Sequence, residues 1–290
     1  MKYHSILQGI GKNRKTVQHP SPHVTSSFDL SGRTALVTGS SRGLGHAIAE
    51  GLAQAGARLV LNGMDTERLA LGAAALRAKG HHVDEAAFDV TDEAAVRAAF
   101  ARLDDAGIEI DILVNNAGIQ LRKPLVELSL AEWDKVLNTN LTSAFLVGRE
   151  AAKRMIARGR GGKVINIGSL TSEAARATVA PYTAAKGGIK MLTRAMAAEW
   201  AEHGIQANAI GPGYMATEMN TALQGNPAFD AWVKGRTPAL AGAGPTSWQA
   251  PRSGWHRRPR STSTARSFTW MAACWPCFEP PFLSFPLTFP

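Results

Sequence analysis

Tyr182 and Lys186 stand four residues apart, a spacing that puts both side chains on one face of a helix. A free phenol titrates near 10, and an ammonium about 4 to 5 Å away, at an effective dielectric near 20, favours the phenolate by roughly 3 to 4 kcal/mol. That would bring the phenol toward neutral pH, where it could give a proton to a carbonyl oxygen as hydride arrives, or take one from an alcohol in reverse. Such a pair also arises by chance, so it needs a setting. Ser169 lies thirteen residues before Tyr182, just after the apolar run 163–167, and Asn140 closes the stretch Asn138-Thr139-Asn140. Taken singly, Ser169 reads equally well as a helix cap and Asn140 as a polar residue interrupting a helix.

A second chemistry lies near the N-terminal end. The run 34–38 leads into Thr38-Gly39-Ser40-Ser41-Arg42-Gly43-Leu44-Gly45 and then a helical pattern. Glycines there let backbone approach a pyrophosphate, and the exposed N–H groups of a helix start supply positive potential for an anion. The glycine spacing differs from the usual dinucleotide fingerprint.

The elements that must position these groups follow one rhythm. Short apolar runs at 34–38, 58–62, 82–88, 111–114, 163–167 and 206–210 alternate with helical stretches such as 44–55 and 92–103. A further helix opens at Ser129 with Glu132 three residues on, the capping-box pattern. Apolar runs covered on both faces and separated by helices predict a single doubly wound parallel sheet. The next strands end at Asn62-Gly63, Asp89-Val90 and Asn115-Asn116-Ala117-Gly118, at the carboxyl edge where ligands bind in such sheets.

The order T-G-x-x-x-G-x-G, D-V, N-N-A-G, serine, Y-x-x-x-K resembles the short-chain dehydrogenase/reductase family over about residues 29–239. The resemblance implies an NAD(P)-dependent oxidoreductase on a Rossmann-type fold. Asn140, Ser169, Tyr182 and Lys186 would be catalytic, with Ser169 holding the substrate oxygen and Asn140 fixing a water that links Lys186 to solvent. Gly39, Ser41, Arg42, Gly43, Leu44, Gly45, Asn62, Asp89, Val90, Asn116, Ala117, Gly118, Pro212 and Gly213 would bind the coenzyme together with Tyr182 and Lys186, and Thr217 would meet its carboxamide. Asp89 would hold the adenine amino group. No metal is expected. Gly63 stands where a carboxylate would select NAD, and Arg42 resembles the arginine that pairs with the 2′-phosphate of NADP, although a second arginine common near Met64 is missing. NADP is therefore expected, with NAD the alternative and a solvated surface arginine the plainer reading of Arg42.

N-A-G-I-Q after the fourth strand, S-E-A-A-R after Ser169 and A-F-D-A-W-V-K-G-R-T-P-A at 228–239 are similar to the gluconate 5-dehydrogenase branch of that family. This implies hydride exchange between gluconate and 5-ketogluconate. Gln120, Arg122, Glu173 and Arg176 would hold a sugar acid, since a guanidinium suits a carboxylate; surface ion pairs or caps are the alternative. Another carbonyl substrate such as a 3-oxoacyl compound, or an inactive nucleotide-binding product, stays open.

The formal charge of +9 is concentrated at the ends: residues 1–28 carry +4, residues 240–290 another +4, and 29–239 only +1. A nucleic-acid partner needs a basic face on the folded body, so none is expected. No apolar run is long enough to span a membrane and no secretory pattern opens the chain, so a cytoplasmic protein is expected. Residues 1–28 read as a flexible extension. Residues 240–290 hold four of the seven Trp, eight of the fifteen Pro and both Cys. Shifting the coding frame near Leu240 can turn 241–250 into R-W-G-R-P-D-E-L-A-G and 261–277 into E-Y-V-N-G-Q-I-I-Y-V-D-G-G-M-L-A-V, which resemble the family's usual ending. The tail thus reads as out of frame and disordered, with the final helix and strand missing and the expected homotetramer weakened.

Overall fold

The computed structural model describes residues 29–213, together with Pro227, Ala231 and the pair Ser267–Phe268. Six parallel strands, β1 (Thr34–Val37), β2 (Arg58–Gly63), β3 (Val83–Ala87), β4 (Ile112–Asn115), β5 (Gly162–Ile167) and β6 (Ile205–Ile210), alternate with helices. The helices are α1 (Gly43–Gln54), α2 (Thr66–Arg77), α3 (Glu93–Asp105), α4 (Leu130–Leu137), α5 (Ser143–Arg158) and α6 (Ala180–Trp200). The order of these strands is β3-β2-β1-β4-β5-β6, so the winding reverses between β1 and β4 and opens a crevice at their carboxyl ends.

Alternation along each strand feeds both faces of the sheet. Leu36, Val60, Leu113 and Val164 point into one apolar cluster with α3, α5 and α6, built around Phe100, Val147 and Met155. Ala35, Val37, Leu59, Leu61 and Ile112 point the other way, toward α1 and α2, where Leu69, Ala73 and Leu76 close the layer. A fully buried Leu or Phe contributes about 1.5 to 3 kcal/mol, so these layers hold the sheet's carboxyl edge in place.

One difference from the sequence reading concerns the edge of the sheet. That reading ended it at β6, but a two-residue strand, β7 (Ser267–Phe268), pairs in parallel with Ala209 and Ile210. An uncovered edge offers a row of unpaired N–H and C=O groups, which the Ser267–Phe268 backbone meets in part. The remainder of the tail, the expected missing helix included, lies outside the described residues.

Candidate active site

A cleft of about 1020 Å³ runs along the carboxyl ends of the strands. At its β1 end the glycine turn is held from behind by short polar side chains. The hydroxyl of Thr38 receives the amides of Asn116 and Ala117 at 2.9 and 3.0 Å. Asn116 returns two bonds to the carbonyls of Thr38 and Gly39, at 2.9 and 3.0 Å. Asn62 is 1% exposed; its side chain accepts the Gly39 amide and donates to the carbonyls of Ala86 and Phe88. It borders the cleft, but its polar atoms are spent shaping the turn. Space is equally strict: a Cβ on Gly45 would come within 2.4 Å of both Asn116 Nδ2 and the Gly39 carbonyl oxygen.

This end fits the pyrophosphate of a dinucleotide. Gly43 has a left-handed φ of 62° and nothing within 4 Å of where its Cβ would be. Asp65, Asp92 and Ser129 cap α2, α3 and α4, whereas α1 has no side-chain cap and no acid in its first turn. Its first N–H groups are thus left for an anion. Ser41, Arg42, Leu44, Asp89, Val90, Ala117 and Gly118 line the same part. Asp89 uses Oδ1 for the amide and hydroxyl of Thr91, at 2.8 and 2.7 Å. Arg68 lines the cleft beside Met64, its guanidinium 3.6 Å from Asp65. The sequence reading missed it because it sought a second arginine at the strand end, and Arg68 reaches the cleft from the first turn of α2.

Toward β5, Asn140, Ser169, Tyr182 and Lys186 all line the cleft. Lys186 is buried and donates to the Ile167 carbonyl at 2.6 Å; its amine lies 5.6 Å from the centre of the Tyr182 ring. Ser169 takes the capping role that the sequence offered. Its hydroxyl caps the short turn Leu170–Ser172, accepting the Thr171 amide at 3.2 Å, and it lies near enough to Tyr182 to act on the phenol. Asn140 sits in a single π-helical turn, Asn138–Thr142, between α4 and α5. Its amide nitrogen donates to Val136 and Ile119 carbonyls, both at 2.9 Å, while its buried Oδ1 finds no partner among the described residues. Ser172, which the sequence reading passed over, accepts the Ser169 amide and donates to the Lys186 carbonyl at 2.8 Å.

The ionisation differs from the sequence expectation. Burial pushes the Tyr182 phenol up, the nearby Ser169 hydroxyl pulling it back only in part, although the residue is half-buried and still borders the cleft. Burial also lowers the Lys186 amine to about 8. The spacing alone accounts for attraction between two charges and leaves out the loss of hydration that each suffers. Tyr182 accordingly holds its proton at neutral pH.

The proposed substrate residues divide. Gln120, Arg122 and Arg176 line the cleft, Arg122 donating to Gln120 at 2.8 Å. Glu173 is absent from the lining and forms an ion pair with Lys190 of α6. Pro212 and Gly213 border the cleft; Thr217 lies outside the described residues.

Hydride exchange with a dinucleotide, with a phenol to carry the proton, is the chemistry such a cleft suits, and it places the molecule among the nicotinamide-dependent oxidoreductases. More narrowly, the chain belongs to the short-chain dehydrogenase family, whose model matches residues 33–227. It is 49% identical over 212 residues to gluconate 5-dehydrogenase of Gluconobacter oxydans, covering 73% of this chain and 82% of that one. A gluconate 5-dehydrogenase from Burkholderia cenocepacia, solved in complex with NADP and tartrate, is 46% identical with a TM-score of 0.77, covering 79% of this chain and 90% of that one. A structure from Agrobacterium tumefaciens, provisionally assigned as a gluconate dehydrogenase, is 67% identical with a TM-score of 0.76, covering 78% and 88%. Among the described residues no helix is long and apolar enough to cross a membrane.

Proposed function

We propose that the chain catalyses reversible hydride transfer between NADP(H) and a sugar acid, interconverting gluconate and 5-ketogluconate. The observation that carries this reading is the convergence of Ser169, Tyr182 and Lys186 on the cleft that also holds the glycine turn and Arg122 and Arg176. The relatives support the substrate: one is a gluconate 5-dehydrogenase, and another was solved with NADP and the dicarboxylate tartrate.

When bound, the nicotinamide supplies or takes the hydride. Ser169 and Tyr182 hold the substrate oxygen; in reduction Tyr182 gives that oxygen its proton, and in oxidation it takes one back. Lys186 orients the nicotinamide ribose and keeps positive charge near the phenol. Asn140, with its unpartnered buried oxygen, holds a water on the path that returns the proton from solvent. The Gly39–Gly45 turn and the start of α1 hold the pyrophosphate, Asp89 the adenine, and Arg42 the 2′-phosphate, no carboxylate standing at Gly63 to repel it. Gln120, Arg122 and Arg176 hold the hydroxyls and carboxylate of the substrate.

Residues 29–239 form the catalytic domain in this reading, 1–28 an extension, and 240–290 the product of a shifted frame; sequencing the coding DNA around Leu240 decides the last point. A homotetramer and a cytoplasmic location, where the coenzyme pool is found, complete it. The test is turnover of gluconate and 5-ketogluconate with each coenzyme. We expect NADP to be preferred, and Arg42→Gln to weaken NADP about tenfold relative to NAD, the worth of a partly exposed charge-assisted bond. Equal efficiency with both coenzymes would overturn the coenzyme choice. Turnover of another carbonyl class with no sugar acid accepted would overturn the substrate.

A further inference from the structure

Thr178 is the one described residue other than glycine with a left-handed backbone, at φ 69°. A β-branched side chain in that region is costly and persists only where its surroundings enforce it. The residue stands four ahead of Tyr182, where the chain leaves the cleft-lining loop and enters α6. Its carbonyl accepts the Lys123 amide at 2.9 Å, a main-chain bond joining the loop after β4 to the loop before α6. Lys123 is fixed a second time, its ammonium 2.9 Å from Glu132 in the capping box of α4. The far end of the 169–179 loop is fastened to α6 by the Ser172 bond to Lys186 and the Glu173–Lys190 ion pair. Arg122 and Arg176, one and two residues from the joined pair, line the cleft.

The geometry points to Thr178 as a positioning residue for the sugar-acid end of the cleft: its left-handed backbone latches Lys123 and so sets Arg122 and Arg176 at one mouth, where a substrate carboxylate can meet both. An extended or helical backbone at 178 would turn the carbonyl away from Lys123 and leave the two loops to move apart. The inference rests on the reading of this cleft as a sugar-acid site.

Steady-state kinetics and amide exchange together test it. Thr178→Pro fixes φ near −65° and forbids the latch, and Lys123→Pro deletes its donor; each should raise KM for the sugar acid about tenfold and change kcat less. Thr178→Gly, which adopts the left-handed region freely, and Lys123→Met, which keeps the amide, should stay within about twofold of the unsubstituted protein. Coenzyme Kd should hold across all four. A KM unmoved by either proline, or KM and coenzyme Kd rising together, would overturn the proposal. Should the proline variants fail to fold, hydrogen exchange of the Lys123 amide decides: slow exchange in both the unsubstituted protein and Thr178→Gly supports the latch, and exchange at the free-peptide rate sinks it. Failure of the unsubstituted protein to turn over any sugar acid would remove the substrate reading, while the exchange rate of Lys123 still judges the latch.

Discussion

The two ends of the cleft are built differently. At the β1 end the glycine turn is held by Thr38, Asn62 and Asn116, short side chains bonded to backbone groups within a few residues of a strand end. At the β5 end, alongside the buried amine of Lys186, the loops that carry Arg122 and Arg176 are held by the Lys123–Glu132 and Glu173–Lys190 ion pairs, by the Ser172 bond to the Lys186 carbonyl, and by main-chain bonds, among them one spanning 55 positions between Lys123 and Thr178. Neutral, part-buried bonds made by short side chains give a rigid cradle for a ligand that is the same in every turnover. Partly exposed charged pairs between long side chains can be retuned without disturbing the sheet, which suits the end that must distinguish substrates.

The sharpest way to separate the ends is Tyr182→Phe. It removes the hydroxyl that we propose carries the proton and touches nothing that holds the glycine turn. We expect kcat to fall about a thousandfold in both directions, with coenzyme Kd, read by fluorescence, unchanged within about twofold. A comparable loss of coenzyme affinity would show that the two ends are not independent.

Lys186→Met sharpens the electrostatic half of the contrast. Burial holds the Lys186 amine at about 8, below its ordinary 10.5, so between those values the unfolded chain binds a proton that the folded protein does not. Stability of the unsubstituted protein therefore rises with pH through that window, and the cost of keeping the amine charged is fully present below it. The methionine variant lacks that rise. From pH 7 to 10 the unsubstituted protein should gain roughly 2 to 3 kcal/mol relative to the variant in urea unfolding. A constant difference across this range would mean that the amine is not depressed.

Gly45→Ala acts at the other end. The added Cβ would press on the Gly39 carbonyl and on Asn116, backbone and a doubly bonded amide that cannot yield freely. A loss of about 1 to 3 kcal/mol in stability and weaker coenzyme binding should follow, with the KM for sugar acid altered least. An alanine variant with native stability and affinity would show the cradle to be softer than its packing implies.

Much of this was legible in the chain. Six strands and the capping box at Ser129 are where the alternation placed them, because apolar period and cap chemistry act over a few residues. The spacing of Tyr182 and Lys186 likewise fixes their shared face. What escaped were matters of distance through space. Glu173 read as a substrate ligand, and only the packing of its loop on α6 gives it to Lys190. Arg68 reaches the cleft from α2, the phenol of Tyr182 is pushed up because desolvation depends on everything around it, and Thr178 takes a strained backbone that its own residue type disfavours. The sequence by itself determined the order of strands and helices, the glycine turn and the shared helix face of Tyr182 and Lys186, since each is written in neighbouring residues. Only the tertiary structure decided which charges meet, how strongly buried groups hold their protons and which loops are tied together, because those depend on partners brought close by folding from far along the chain.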